Sequence, residues 1–346
     1  MGKSITDLSS VSTVGLDLAK HVFQVHGVDA TGRVVVAKAI RRKQLLKSFA
    51  LLPPCLVGLE ASGSAHHWAR ELVKLGHDAR MMPPAYVKPY IRRQKNDAAD
   101  AAAICEAVTR PSMRFVAVRS LENQAGLMRH KTREMLVSQR TQLLNALRGH
   151  LTEVGVIAPQ WLRCARELVE LIEACDETIP FEVCQALAPL VVQLRNLDEA
   201  IARLDRIIAK LAQKDETARR LMSIPGFGPI IASAMAATVQ DTSSFAGPRE
   251  FAAFLGLTPK QSSSGGKQKL GRISKMGNRN LRKLLVVGAH AVLFHRKPHT
   301  DPLRMWAKRL LEKKPFKLFA VALANKMARI AFAILRSKTV YREIPA

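Results

Sequence analysis

The first third of the chain alternates short apolar runs with segments of helical periodicity. Five apolar, β-branched runs predict strands at residues 14–18, 22–28, 34–40, 56–59 and 79–82. The segments between and after the later runs predict helices at residues 42–52, 64–75 and 97–108. A turn-forming segment at 29–33 joins the second and third strands as a hairpin. This order predicts an α/β domain, a mixed sheet flanked by helices.

The pattern changes near residue 120, where strand signals stop and helical patterns dominate as far as residue 217. Apolar residues then recur at alternating spacings of three and four, at Leu187, Leu190, Leu194, Leu197, Ile201, Leu204, Ile208 and Leu211. Such a stripe is typical of a coiled coil. We expect Pro189 in the first turn of this helix. The stripe predicts either a helix packed inside one protomer or an arm that joins protomers.

A third region, mainly helical, begins at residue 219. Its Pro-Gly-Phe-Gly turn at 225–228 precedes an apolar helix and resembles a helix-hairpin-helix element. In such a turn the backbone N–H groups near Gly226 and Gly228 can face a phosphate. An ordinary helix–helix turn is the alternative. We therefore expect three domains, at residues 1–118, 119–218 and 219–346.

The net charge of the chain indicates the kind of partner that it binds. The 346 residues include 54 Lys and Arg against 28 Asp and Glu, a net charge of +26. That excess favours a nucleic acid, whereas a membrane surface is the weaker alternative. We find no uninterrupted apolar run of roughly 18 residues and no signal-peptide core, so no membrane association is expected. The five cysteines form no C-x-x-C pair, which favours reduced thiols and a cytoplasmic protein.

The positive charge is concentrated in the C-terminal region. From Lys260 onward the only acids are Asp301, Glu312 and Glu343. A glycine-punctuated segment there supplies the candidate phosphate contacts, with solvated surface charge as the alternative: Lys267, Arg272, Lys275, Arg279, Arg282 and Lys283. The low aromatic content argues against base stacking as the main mode of binding.

Four carboxylates provide the candidate chemistry. Asp17 lies in the first apolar run, where a buried carboxylate is costly unless it is paired or binds a metal. Glu60 ends the fourth run, and Asp97 and Asp100 share one face of the following helix, with Asp97 as its expected N-cap. Oxygen ligands of this kind suit Mg²⁺. Two strands and a helix are therefore predicted to bring four acids to a divalent-cation site.

The order of these acids resembles that in the RNase H-like fold of RuvC-type nucleases. Further segments are similar to the insertion-sequence-110 transposases, the DEDD recombinases of bacterial mobile elements, along nearly the whole chain. These segments are Gly-Leu-Asp-Leu-Ala-Lys at 15–20, Leu-Glu-Ala-Ser-Gly at 59–63, Asn-Asp-Ala-Ala-Asp-Ala at 96–101, Ile-Pro-Gly-Phe-Gly-Pro at 224–229, and Gly-Leu-Thr-Pro through Leu-Arg at 256–282. One departure is Ala98-Ala99, which replaces a commoner charged pair.

The resemblance implies a mechanism and partners. It implies that the four acids hold Mg²⁺ or Mn²⁺ and that Ser264 forms a phosphoserine link to DNA. Ser263 is the alternative nucleophile, because three consecutive serines allow a shift of one position. It also implies element-end and target DNA, a structured bridge RNA as guide, and an active site shared between subunits of a dimer or tetramer. The domains then become a RuvC-like domain, a coiled-coil arm and a C-terminal transposase domain.

A second function class is compatible with the same acids. A RuvC-like, metal-dependent nuclease would cut DNA junctions with water and would need no serine nucleophile. A non-enzymatic nucleic-acid scaffold is the third class. The catalytic role of Ser264 separates the recombinase from the hydrolase.

Overall fold

The computed structural model describes residues 8–91, 96–157, 164–294 and 302–342. The chain divides into two compact units, residues 1–121 and 122–346. The first unit contains the predicted α/β domain. The second contains both the helical region and the C-terminal region.

The first unit is built on a five-stranded mixed sheet, which confirms the predicted fold class. The strands are β1 (Thr13–Asp17), β2 (Val22–Val28), β3 (Val34–Arg41), β4 (Leu56–Glu60) and β5 (Asp78–Met82). Their spatial order is β3-β2-β1-β4-β5, antiparallel from β3 to β1 and parallel from β1 to β5. The parallel strands β1 and β4 therefore end side by side, which places the carboxylates that end them at one edge.

Helices cover this sheet on both faces. They are α1 (Leu45–Phe49), α2 (Ala65–Lys74), α3 (Pro84–Val87) and α4 (Asp97–Val108). One core contains Leu16 and Leu59 of the strands with Phe49 and Trp68 of α1 and α2. A separate apolar cluster lies under α4. Residues that alternate along β1 and β4 thus face different helices, as the two-residue period of a strand requires.

The second unit begins with long helices: α5 (Leu121–Glu153), α6 (Cys164–Ala174) and α7 (Phe181–Lys214). The heptad stripe lies on α7, where Leu187, Leu194 and Ile201 are buried within the chain. Other apolar side chains of α7 face solvent, including Val192, which is 60% exposed. Most of the stripe therefore packs inside the protomer, although Leu211 at its end is 38% exposed, and the outer face of α7 is left open.

The expected position of Pro189 was wrong. The helix begins at Phe181, after Pro180, so Pro189 lies in its interior. An interior proline removes one backbone hydrogen bond. Leu187 and Val191 on either side of it are buried, and their packing offsets the lost hydrogen bond, so that the helix continues past the proline.

The rest of the second unit is a helical core with a small hairpin. Its elements are α8 (Glu216–Met222), α9 (Pro229–Thr238), α10 (Pro248–Phe254), β6 (Pro259–Gln261), β7 (Leu270–Ile273), α11 (Arg279–Phe294), α12 (Pro302–Lys313) and α13 (Phe316–Ser337). β6 and β7 pair antiparallel. Apolar residues of the surrounding helices form one buried core, to which Phe251, Phe319 and Met327 belong.

Within the described residues, α13 alone is long and apolar enough to cross a membrane by length and composition. This amends the sequence expectation, which counted uninterrupted apolar runs and so was limited by Lys326 and Arg329. Half of its apolar window is buried inside the chain. Leu323 and Ala324 are completely enclosed by the C-terminal core, so packing accounts for the apolar composition of this helix.

Candidate active site

Asp17 and Glu60 end adjacent parallel strands. Leu16 on β1 pairs with Leu59 on β4, so each acid occupies the next position on its own strand. Leu16 and Leu59 are completely buried, whereas Asp17 and Glu60 are only partly covered. The apolar residues thus fix the strands, and the acids reach the edge of the sheet.

The helix α4 supplies the other two acids. Asn96 caps it, since its side-chain Oδ1 accepts a hydrogen bond of 2.7 Å from the backbone N–H of Ala99. The sequence interpretation placed Asp97 at the cap and was wrong by one residue. Asn is as good a cap as Asp, and only the backbone geometry distinguishes them. Asp97 and Asp100 therefore both lie in the first helical turn.

Three of the four predicted acids meet at one point. A carboxylate oxygen of each of Asp17, Asp97 and Asp100 lies within 4.8 Å of the other two. Glu60 stands outside this group of three, although its charge acts on Asp17. The described structure thus brings the DEDD acids to one edge of the sheet, with Glu60 as the outer member.

The concentration of negative charge changes the ionisation of Asp17. The pKa of Asp17 is raised to about 6, first by burial and then by the neighbouring carboxylates of Asp100, Asp97 and Glu60. A hydrogen bond from the backbone N–H of Leu18 acts in the opposite direction. A carboxyl group whose pKa is raised by burial and by neighbouring carboxylates is typical of a functional site.

The donor set fits a divalent cation. Asp100 Oδ1 is inaccessible to solvent and has no hydrogen-bond partner among the described residues. Leaving a buried oxygen unpaired costs about 1–3 kcal/mol or more, and a metal ion would satisfy it. Carboxylate oxygens are the ligands that Mg²⁺ and Mn²⁺ prefer. Asp17, Asp97 and Asp100 would hold such an ion, with Glu60 beside them.

We expect a distinctive pH dependence from Asp17. Its folded pKa of about 6 exceeds the ordinary value of 3.8, so the folded state keeps a proton that the unfolded state has lost. The contribution of Asp17 to stability therefore falls as pH rises from about 4 to about 6 and stays unfavourable above that range. Unfolding temperatures of the metal-free wild type and Asp17→Asn, measured across this range, should differ in slope. Equal slopes would contradict the assignment.

Ser264 lies at the tip of the hairpin formed by β6 and β7. Gly265 and Gly266 have φ values of +56° and +74°, as a two-residue type I′ turn requires. Ser264 and Lys267 pair across this turn, and the backbone N–H of Lys267 donates to Ser264 O at 3.1 Å. The glycines thus allow a tight, exposed turn that begins with the candidate nucleophile.

The two candidate serines have different surroundings. Gln261 Nε2 donates a hydrogen bond of 3.0 Å to Ser263 Oγ. Ser264 Oγ receives no such bond in the part of the chain that the structure describes. The Ser264 hydroxyl is therefore the one available at the tip.

The basic residues in and after the hairpin have two kinds of environment. Five of the predicted phosphate contacts are exposed, namely Lys267, Arg272, Lys275, Arg279 and Lys283. Arg282 is instead half-buried, and its Nη1 donates to the carbonyl oxygens of Leu255 and Met276 at 2.9 and 3.0 Å. Arg282 thus ties the loop before α11 to the end of α10, a role that the charge pattern did not reveal.

The glycines of the turn between α8 and α9 also differ. Gly226 has φ +85°, and a Cβ atom there would lie 2.6 Å from Gly288 O on α11. Gly226 is therefore required by close packing, whatever else this turn binds. Gly228 is exposed and immediately precedes α9, where described atoms leave open space around it.

The chain has an RNase H-like sheet with a carboxylate cluster at the ends of its parallel strands. This combination places it in the class of DEDD nucleic-acid enzymes. A family profile described as "Transposase", of the DEDD type, matches residues 14–156. A second, described as "Transposase IS116/IS110/IS902 family", matches residues 218–303. The first contains all four acids, and the second contains Ser264.

Full-length relatives agree with these profiles. A "Probable family 20 transposase" of Pseudomonas aeruginosa is 48% identical over 96% of this chain and 99% of its own. The "Transposase for insertion sequence element IS1111A" of Coxiella burnetii is 38% identical over 97% and 92%. The corresponding protein of element IS1328 in Yersinia enterocolitica is 36% identical over 96% and 99%. The chain belongs to the IS110/IS116 family of insertion-sequence transposases.

Proposed function

We propose that this transposase cuts and rejoins DNA through a covalent phosphoserine intermediate formed by Ser264. Asp17, Glu60, Asp97 and Asp100 form the metal centre that serves this reaction, with Mg²⁺ or Mn²⁺ as the ion. The observation that supports the proposal most strongly is the cluster of three carboxylates, one with a buried unpaired oxygen, in the DEDD domain of a transposase chain.

The reaction is a transesterification. The Ser264 oxygen attacks the phosphorus, and the new serine–phosphorus bond replaces the bond to one nucleoside oxygen, which leaves with a proton as a hydroxyl. A hydroxyl of another strand then reverses the exchange and releases the serine. The number of phosphate ester bonds is unchanged throughout, so rejoining needs no ATP.

A bound divalent cation supplies positive charge that activates a hydroxyl and neutralises the phosphate. The residues of the chain give DNA access to the nucleophile and attract the ion. The exposed turn lets Ser264 approach a DNA backbone closely, since Gly265 and Gly266 carry no side chains. The acids keep their negative charge at one edge of the sheet, where it attracts the ion and repels an unshielded phosphate.

The substrate-binding surface that we propose includes the exposed cations around the hairpin and α11. Lys267, Arg272, Lys275, Arg279 and Lys283 would contact phosphates, while Arg282 holds the adjoining loop. Gly226 and Gly228 belong to the second proposed contact, at the turn before α9. A net charge of +26 favours binding of both element DNA and a structured guide RNA.

The bridge RNA, rather than the protein, would then select the DNA sequence. Base pairing between a bridge RNA and DNA can specify a site that the protein holds only through its backbone. The abundance of exposed cations and the small number of aromatic residues are consistent with such backbone binding. The protein would act in the cytoplasm, where the bacterial chromosome is accessible.

We also propose a homo-oligomer, a dimer or a tetramer. The arm formed by α5 to α7 presents exposed apolar side chains, among them Phe181 and Val192 at 68% and 60% exposure. Exposed apolar side chains on one helix favour contact with another protein. A shared active site would combine the acids of one subunit with Ser264 of another.

The alternative, a RuvC-like nuclease that uses water, makes a different product. We expect wild-type protein with Mg²⁺, guide RNA and element-end DNA to yield joined strands without ATP, because the serine ester conserves the energy of the broken bond. Sequencing gels of end-labelled DNA measure this directly. Cut strands that never rejoin, under conditions where all partners are present, would support the hydrolase instead.

A further inference from the structure

The two acid-bearing strands share a second feature besides their acids. β1 ends in Gly15-Leu16-Asp17 and β4 ends in Gly58-Leu59-Glu60, each a glycine, a leucine and an acid. The strands pair in register, with Gly15 opposite Gly58. Two glycines therefore lie side by side, each two residues before an acid on the same face of the sheet.

The helix α4 lies directly on these glycines. A Cβ atom at Gly15 would lie 2.1 Å from Ala101 O and 2.5 Å from Cys105 N, both backbone atoms of α4. A Cβ atom at Gly58 would lie 2.8 Å from Val108 Cβ. No real Cβ atom approaches so closely, so any side chain at either position would force α4 away from the sheet.

Asp97 and Asp17 lie at similar distances from the point where α4 contacts β1. Asp97 precedes Ala101 by four residues, an advance of about 6 Å along a helix. Asp17 follows Gly15 by two residues, an advance of about 6.6 Å along a strand. The helix and the strand therefore cover nearly equal distances from the point where they touch to their acids, which explains how Asp97 and Asp17 meet.

We propose that Gly15 and Gly58 are positioning residues of the metal centre. Together they form a shallow trough across β1 and β4, and its depth sets the separation between the acids of α4 and those of the strands. This inference rests on the proposed metal site. It adds that the affinity for the ion depends on two residues that carry no ligand atoms.

The structure offers a matched control in the same sheet. Gly27 lies on β2, opposite Val14 of β1. A Cβ atom there would lie 3.4 Å from Val36 Cβ and 3.5 Å from Val11 Cγ1, which are ordinary contacts. Gly27→Ala therefore makes the same chemical change in the same sheet without displacing α4.

The experiment measures Mn²⁺ affinity of the full-length chain from the electron paramagnetic resonance signal of free Mn²⁺. We expect Gly58→Ala to weaken binding by about tenfold or more, as loss of outer-shell support commonly does. Gly27→Ala should bind like wild type. Gly15→Ala should lose more affinity than Gly58→Ala, since backbone atoms obstruct it. Melting temperatures of the metal-free proteins are recorded in parallel.

A second change separates positioning from simple destabilisation. Val108→Gly, at the last residue of α4, removes two of the three atoms that the added methyl group of Gly58→Ala would meet. The third, Ile104 Cγ2 at 3.1 Å, need shift by only a few tenths of an ångström. In the Gly58→Ala/Val108→Gly double variant, affinity should return toward the wild-type value. The melting temperature should stay below that of the wild type, because a buried side chain is deleted. Recovery of affinity without recovery of wild-type stability thus separates positioning from destabilisation.

The outcomes are distinct. Wild-type affinity in Gly58→Ala, or no recovery in the folded double variant, overturns the inference and leaves the metal site intact. If Gly58→Ala does not fold, the double variant decides alone: near-wild-type Mn²⁺ affinity in the folded double variant supports the inference, and weak affinity in it overturns the inference. Equal binding by wild type and Asp17→Asn, or no binding by wild type, overturns the metal centre itself and the positioning role with it.

Discussion

Replacing Asp17 by asparagine is expected to reduce DNA strand cleavage by about 10³-fold or more while leaving DNA binding within about twofold. Asp17 is the strand acid that belongs to the cluster of three, and its loss removes a charged ligand worth several kcal/mol to the reaction. The cations proposed to bind DNA lie in the second unit and are unchanged. Gel-shift titrations and cleavage rates on one preparation measure both quantities.

Asp78→Asn is the matched control for this change. Asp78 is the first residue of β5, at the end of the parallel strands that lies away from the acid cluster. It forms an exposed ion pair with Arg80. Its replacement should leave cleavage unchanged. Asp17→Asn should also not lower the stability of the metal-free protein at neutral pH, because the raised pKa of Asp17 means that its charge opposes folding. Normal cleavage by Asp17→Asn would remove Asp17 from the site.

Ser264→Ala is expected to abolish strand joining, with no rejoined product detectable, while metal binding and DNA binding persist. The Ser264 side chain is exposed at a turn and contributes nothing to the core, so its removal should not change the melting temperature. A transposition assay with a marked element in cells gives the largest dynamic range. Purified protein gives the binding controls.

Ser263→Ala provides the comparison, since it removes the neighbouring hydroxyl from the same hairpin. It breaks only the hydrogen bond from Gln261 and should retain most joining activity. Loss of joining in Ser263→Ala with normal joining in Ser264→Ala would move the nucleophile by one residue. Normal joining in both variants would refute the phosphoserine mechanism.

The sequence predicted the α/β domain well because its signals are local. Apolar runs of β-branched residues, a turn-forming segment and helix-stopping glycine and proline residues mark each element without reference to the rest of the fold. The predicted proximity of Asp17 to Asp97 and Asp100 followed from strand order and helix spacing. The structure brings these three together, with Glu60 outside the group.

Other features were not visible in the sequence because they depend on packing. Whether Gly15 is a flexible residue or a contact for α4 is decided by residues about 90 positions away. The same is true of Arg282, whose charge suggested a phosphate ligand but whose Nη1 binds two carbonyl oxygens. Pro189 suggested a helix start, and tertiary packing kept the helix continuous.

The heptad stripe illustrates a related limit. Its periodicity indicates an apolar helix face but not the identity of the surface that covers it. In the structure, residues such as Leu194 are buried within the second unit. The exposed side chains that remain on α7 are the basis for the proposed contact between protomers.

The most direct test of the central claim is the mass of a covalent protein–DNA adduct. Wild-type protein is incubated with Mg²⁺, guide RNA and element-end DNA, denatured, digested with trypsin and nuclease, and sequenced by mass spectrometry. We predict a nucleotide attached to Ser264, absent when Mg²⁺ is chelated and absent in both Asp17→Asn and Ser264→Ala. Cleaved DNA with no serine-linked nucleotide in the wild-type sample would contradict the phosphoserine mechanism and identify water as the nucleophile.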